Sequence, residues 1–104
     1  MIRRIVKMTF QKDKIDKFLE IFENSKEMIR SFEGCYHMEL CRDLKSPQTM
    51  FTYSIWESEN SLENYRNSDF FKDTWSKTKV LFKEQADAWS VELVDGEIRK
   101  TKKL

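Results

Sequence analysis

Glycine and proline are scarce in this sequence, with two glycines and one proline among 104 residues, so flexible linkers and low-complexity segments are excluded. An excess of charge of one sign is also missing. The 19 basic and 18 acidic residues leave a formal charge of +1, which argues against a nucleic-acid partner because such partners require a basic face. No apolar run approaches the ~18 residues of a membrane helix, and residues 1–4 are not followed by the apolar core of a signal peptide. These absences predict one small folded domain without a nucleic-acid or membrane partner.

Cysteine is scarce as well. The two cysteines, Cys35 and Cys41, fall on one predicted strand, so the distance between their Cα atoms is ~20 Å. A disulfide requires Cα atoms within ~7 Å, and these two residues therefore cannot bridge each other within that strand. Unpaired cysteines of this kind favour the cytoplasm as the compartment.

What the sequence does contain is a regular alternation of strand and helix patterns. Apolar residues at period two predict four strands. These strands cover residues 2–10, 35–42, 50–56 and 88–94. With the helices between them, the order is β-α-β-β-α-β, which predicts an α+β, ferredoxin-like fold with a four-stranded antiparallel sheet.

Three helices are predicted from apolar side chains at helical spacing. The first is capped by Asp13 and ends at Gly34, where a left-handed residue stops it. The second is short and is capped by Ser58. The third is capped by Ser68 or Asp69 and continues to about Lys83.

Both faces of the predicted sheet carry large apolar side chains. The third strand has Phe51, Tyr53 and Ile55 on one face and Trp56 on the other, and the fourth strand is also apolar on both sides. Helices from one chain cover only one face, and the other face would expose an apolar patch that soluble monomers avoid. The sequence therefore predicts a homodimer in which two sheets pack face to face.

Two segments resemble the antibiotic biosynthesis monooxygenase (ABM) domain family. The first is residues 34–43, GCYHMELCRD, followed by Pro47, and the second is residues 55–58, IWES. Further matching features are Leu62, the pair Asn67 and Ser68, and the pair Phe70 and Phe71. The resemblance covers about residues 2–94, which gives an ABM-like domain at 1–95 and a polar, basic C-terminal tail at 96–104.

This resemblance implies a dimeric α+β barrel with a small-molecule pocket between the helices and the sheet. It also implies oxygen chemistry without a bound cofactor, on a small aromatic or quinol-like substrate with molecular oxygen. Such an enzyme needs a dry apolar cavity, a base that forms the substrate anion, and flat side chains that hold the substrate. The predicted pocket residues are Trp56, Tyr65, Phe71 and Trp75.

The predicted catalytic residues are His37, as a general base, and Glu39 as the alternative. Both alternate with Cys35 and Cys41 onto one predicted strand face. Neighbours in that row are ~6.6 Å apart at Cα, so four donors in a line cannot converge on one metal ion, and no metal site is predicted. A nucleophilic cysteine is disfavoured because the side chains stand parallel and no oxyanion site accompanies them.

Three alternatives stay open at this point. In the first, the chain is a non-catalytic dimeric barrel that binds a small hydrophobic metabolite or acts in a stress response. In the second, the aromatic residues are plain core, and His37 is hydrogen-bonded to a neighbour for structural reasons. The third is haem degradation, which is disfavoured. The family's haem-ligand histidine falls where this chain has Trp75, although the tryptophan beside the haem has a counterpart in Trp56.

Overall fold

The computed structural model describes residues 1–96, so the predicted basic tail, apart from Gly96, lies outside the described residues. In chain order the elements are β1 (Ile2–Phe10), a short 3₁₀ turn (Lys12–Lys14), α1 (Ile15–Arg30), β2 (Cys35–Arg42), β3 (Thr49–Trp56), α2 (Glu59–Arg66), α3 (Asp69–Lys79) and β4 (Phe82–Glu92). The strands form one antiparallel sheet in the order β2-β3-β1-β4. The predicted ferredoxin-like α+β fold is therefore confirmed.

The core lies between the helices and one face of this sheet. Met8 pairs with Met50 across β1 and β3, and both side chains are buried beneath the helices. Phe10 is fully buried and stacks on Phe18 of α1 with ring centroids 4.2 Å apart. Burying a side chain of this size contributes about 1.5–3 kcal/mol. The pleat that points these side chains inward turns the odd-numbered residues of β1 and β3 to the opposite, open face.

Serine caps begin both short helices, as the sequence predicts. The Ser58 Oγ accepts a hydrogen bond from the backbone N–H of Ser61 at 3.1 Å. The Ser68 Oγ accepts one from the N–H of Phe71, also at 3.1 Å. Each bond satisfies a backbone donor that has no partner within its helix, and together the caps fix where α2 and α3 start.

Replacing Ser68 with alanine should therefore lower the free energy of unfolding by about 1 kcal/mol. Urea denaturation followed by circular dichroism measures the change. Ser76→Ala is the matched control, because Ser76 lies within α3 and its side chain is exposed. Equal losses in the two variants would contradict the capping role.

The first helix begins later than the sequence predicts. Asp13 lies in the 3₁₀ turn and makes no side-chain cap, and α1 begins at Ile15. The helix ends at Arg30 and is followed by a turn to Gly34, whose φ of +85° is the predicted left-handed conformation. Glycine is required there because a Cβ would lie 2.5 Å from the side chain of Ser61.

The fourth strand is longer than predicted, and the third helix is shorter. Helix α3 ends at Lys79, Leu81 is buried in the following turn, and β4 begins at Phe82 instead of Ala88. Leu81 and Phe82 fit the helical spacing of α3. Phe82 instead pairs with Phe10 of β1 and begins β4, and Leu81 lies in the turn before it. Long-range pairing thus overrides the local pattern.

The prediction that Cys35 lies on the same strand face as His37 is wrong, because a β-bulge interrupts β2. Cys35 pairs with Trp56, but the next pair in the register joins His37 to Ile55, so β2 carries one extra residue at this point. Cys35 therefore shares the helix-covered face with Trp56, while His37, Glu39 and Cys41 lie on the open face. Both cysteines are free, as predicted.

No helix in the described part of the chain combines the length and the apolar character that a bilayer crossing requires.

Candidate ligand-binding cavity

A cavity of about 400 Å³ lies between the helices and the sheet. Its walls come from α1, α2 and α3 on one side and from all four strands on the other. Most of the lining is apolar, with a few hydroxyls and two arginines, which is the usual composition of a small-molecule site. Besides the aromatic residues described below, the apolar lining includes Val6, Met8 and Met38 from the sheet and Phe18, Ile21, Phe22 and Ile29 from α1.

Small side chains on β4 leave the space for this cavity. Ala86 and Ala88 face the helices at positions where a larger residue would fill the gap. Thr52 and Ser54 of β3 contribute short polar side chains to the same lining. These residues do not stand out in the sequence because small side chains produce no apolar periodicity, and because the pattern predicts that β4 begins only at Ala88.

An aromatic wall forms one side of the cavity. Trp56 stacks on Tyr65 with ring centroids 4.9 Å apart and an interplanar angle of 26°. Tyr65 meets Phe71 edge to face at 5.0 Å, and Phe71 lies nearly parallel to Trp75 at 5.9 Å. The structure thus brings together the four residues that the sequence analysis assigned to the pocket, and all four line the cavity. Their role in binding stays a prediction.

Trp56 is the most constrained member of this aromatic wall. Only 1% of its surface is exposed, and its Nε1 donates a hydrogen bond of 2.9 Å to the Ser54 Oγ. The bond and the stacking on Tyr65 hold the indole plane in one orientation.

Tyr65 adds a hydrogen-bond donor to the aromatic wall. Burial raises the pKa of its phenol far above the ordinary value, and the nearby Cys35 acts in the same direction. The hydroxyl therefore keeps its proton over the whole physiological range. Tyr65 can donate a hydrogen bond to a ligand, but it cannot serve as a base.

Two arginines are the charged residues of the cavity lining within residues 1–96. The Nη1 of Arg4 donates a hydrogen bond of 3.0 Å to the Ser90 Oγ, and the Nη1 of Arg66 lies 3.3 Å from the Glu63 Oε1. The pKa of Arg4 is lowered mainly by burial and further by the positive charge of Arg66, while Glu63 opposes the shift. Neither arginine stands out in the sequence as a cavity residue, because the two lie on separate elements and belong to no motif.

The predicted catalytic residues lie elsewhere. His37 and Glu39 project from the open face of the sheet, and neither lines the cavity. The His37 Nε2 lies 2.5 Å from the Glu39 Oε1, and the Cys41 Sγ donates to the Glu39 Oε2 at 3.2 Å. The hydrogen bond with His37 lowers the pKa of Glu39, and the carboxylate of Glu39 raises the pKa of the Cys41 thiol. A catalytic role for His37 and Glu39 stays a prediction, and the two residues lie apart from the cavity.

The lining within residues 1–96 contains no histidine, aspartate, glutamate or cysteine. A side chain that could abstract a proton at neutral pH is therefore missing from the described walls. In the same part of the chain, no group of three or more such side chains is arranged to hold a metal ion.

The open face of the sheet carries an apolar row at its centre, flanked by Arg3 and Lys7 of β1. Ile5 pairs with Tyr53 on β3 and with Trp89 on β4, so the three side chains form a row across the sheet. Trp89 and Val91 remain 47% and 42% exposed, respectively. The edge toward β2 is more polar because His37, Glu39 and Cys41 lie there.

Comparison with known proteins places the chain beside one family. The family model described as antibiotic biosynthesis monooxygenase matches residues 1–76. A solved antibiotic biosynthesis monooxygenase is 17% identical with a TM-score of 0.86, and the match covers 91% of this chain and 100% of that one. A conserved protein from Methanosarcina mazei Go1 is 21% identical with a TM-score of 0.83, covering 86% of this chain and 89% of that one.

A third similar structure is Rv0793 from Mycobacterium tuberculosis. It is 13% identical, with a TM-score of 0.84 and coverage of 91% of this chain and 96% of that chain. At identities this low, the three structures establish the shared fold alone.

Proposed function

The chain belongs to the antibiotic biosynthesis monooxygenase family, and we propose that it is a cofactor-independent monooxygenase whose substrate is a small aromatic or quinol-like molecule. The observation that supports this most strongly is the aromatic wall formed by Trp56, Tyr65, Phe71 and Trp75 beside an apolar cavity. An electron-rich planar ring would stack against these side chains and lie shielded from bulk water.

The chemistry follows from the substrate's own reactivity. The substrate loses a proton to become an anion, and the anion donates electrons to molecular oxygen. For a ring methylene of the anthrone type, the methylene and O₂ give a carbonyl and one water, so one oxygen atom enters the product and the other leaves as water. Residues of this chain orient the ring, exclude water and stabilise the anion. The proton leaves to solvent, because the described walls offer it no base.

We also propose that the protein is a cytoplasmic homodimer. The apolar row of Ile5, Tyr53 and Trp89 on the open sheet face supports this, because a second copy would cover it by two-fold symmetry. The two free cysteines fit a reducing compartment.

The alternative from another class is a non-catalytic barrel that binds a small hydrophobic metabolite. One specific observation favours it, namely the absence of an acid–base side chain from the described cavity walls. Haem degradation is disfavoured, since the described lining offers no histidine for the iron and Trp75 occupies the position of the family's haem ligand. A haem titration without a Soret shift is the expected outcome.

Oxygen uptake with a panel of quinols, hydroxylated naphthalenes and anthrones tests the proposed reaction. We expect saturable uptake above the spontaneous rate with at least one compound, and a product that carries one added oxygen atom. Saturable binding without uptake across the panel would favour the non-catalytic alternative. If no compound in the panel shows either binding or oxygen uptake, both proposals are contradicted.

A further inference from the structure

Most of the cavity lining is apolar or bears a neutral hydroxyl, yet two guanidinium groups line it. Arg4 comes from β1 at the centre of the sheet, and Arg66 comes from the last turn of α2. They lie close enough for the charge of Arg66 to depress the pKa of Arg4. Like charges held together beside an apolar space destabilise the protein unless an anion joins them.

The protein itself compensates this charge only in part. Glu63 pairs with Arg66, but both side chains are about half exposed, so the pair is weak. Within residues 1–96 no carboxylate lies within 4 Å of the Arg4 guanidinium, whose resolved side-chain partner is the neutral hydroxyl of Ser90. Arg4 has five N–H donors, and its bond to Ser90 occupies one. Donors therefore remain available on a positive group at the cavity wall.

We propose that the cavity selects ligands bearing an oxyanion, either a carboxylate or an ionised phenol, and that Arg4 and Arg66 bind this group while the aromatic wall holds the ring. This inference rests on the proposed function and adds the charge of its substrate. The planar guanidinium fork suits an oxyanion, and hydrogen bonds between charged groups are the strong ones, particularly away from bulk water.

The arginine pair also accounts for the missing base. A phenol or quinol that enters the cavity ionises more readily beside two positive charges, because they stabilise its anion relative to the neutral form. The walls then need to stabilise the anion only, and its proton can pass to water. Ser90 would act as a positioning residue, since its Oγ fixes the orientation of the Arg4 guanidinium.

Binding of a matched ligand pair tests the proposal. 2-Naphthoate and its neutral amide have nearly the same shape and differ by one charge at neutral pH. Isothermal titration calorimetry at low salt should show the carboxylate binding the wild-type protein roughly 10- to 100-fold more tightly than the amide. The preference should shrink as the salt concentration rises.

Substitutions at Arg4 and Arg66 test whether these residues cause the preference for the carboxylate. Arg4→Met should remove most of the preference by weakening 2-naphthoate binding roughly 10- to 100-fold while leaving the amide nearly unchanged. Arg4→Lys should bind 2-naphthoate with an affinity between those of the wild-type protein and Arg4→Met, because lysine keeps the charge but loses the planar guanidinium fork. Arg66→Gln, at the surface end of the cavity, should reduce the preference without a risk to the core.

Two outcomes would overturn the proposal, and they are distinguishable. Equal affinity of the wild-type protein for carboxylate and amide would overturn the anion selectivity and leave the aromatic site intact. Absence of binding by either ligand would overturn the aromatic site and the anion selectivity together. A preference that survives in both Arg4→Met and Arg66→Gln would show that these arginines do not bind the anion.

Discussion

Replacing Trp56 with alanine should lower the free energy of unfolding by about 3–5 kcal/mol. Its indole is 1% exposed and stacks on Tyr65, so the truncation removes a large buried ring and leaves a void beside the ligand cavity. The truncation also removes the hydrogen bond that the Trp56 Nε1 donates to the Ser54 Oγ. Urea denaturation followed by far-ultraviolet circular dichroism measures the loss.

Trp56→Phe is the matched control for this prediction. It keeps an aromatic ring against Tyr65 but removes the N–H and part of the volume, so we expect less than half of the alanine loss. A loss below about 1 kcal/mol in the alanine variant would contradict the packing described here, since buried Trp→Ala changes rarely cost so little.

Replacing Trp89 with glutamate should split the proposed homodimer. Trp89 lies beside Ile5 on the open face, and in a face-to-face dimer an unpaired carboxylate at this position would be buried. The dissociation constant should rise roughly 100-fold or more. Sedimentation equilibrium should then show a particle of 12.6 kDa where the wild-type protein shows twice that mass.

Lys72→Gln is the control for charge, because it also changes the net charge by one unit and lies exposed on α3. It should leave the dimer intact. A wild-type protein that sediments as a 12.6 kDa particle at micromolar concentration would contradict the dimer proposal before any variant is made.

The fold could be predicted from the sequence wherever one local pattern acted alone. Strand β2 was predicted with its observed bounds, Cys35–Arg42, because Gly34 precedes it and the polar loop with Pro47 follows it. The start of β4 was missed since Phe82 satisfies helical spacing, and only its pairing with Phe10 across the sheet decides the outcome. The strand face predicted for Cys35 was wrong because a β-bulge between Cys35 and His37 shifts the alternation of side chains by one residue.

The candidate site divides in the same way. Its aromatic residues were predictable because Trp56 and Phe71 lie in segments that resemble the family, while Tyr65 and Trp75 follow helical spacing. The structure places all four on the cavity wall. Arg4 and Arg66 could not be predicted, since they are 62 positions apart in the sequence and come to line the same cavity only after folding. His37 was predicted for its chemistry, but the pleat of β2 turns it to the other face of the sheet.

Whether the cavity holds the aromatic ligand can be measured by tryptophan fluorescence. The chain contains three tryptophans, so in a Trp89→Phe background the signal comes from Trp56 and Trp75, which both line the cavity. Titration with a non-fluorescent naphthoquinone should quench this signal saturably. Adding Ala88→Phe, which fills the cavity from β4, should abolish the saturable quenching while the circular dichroism spectrum stays unchanged. Equal quenching with and without Ala88→Phe would contradict a binding site between the helices and the sheet.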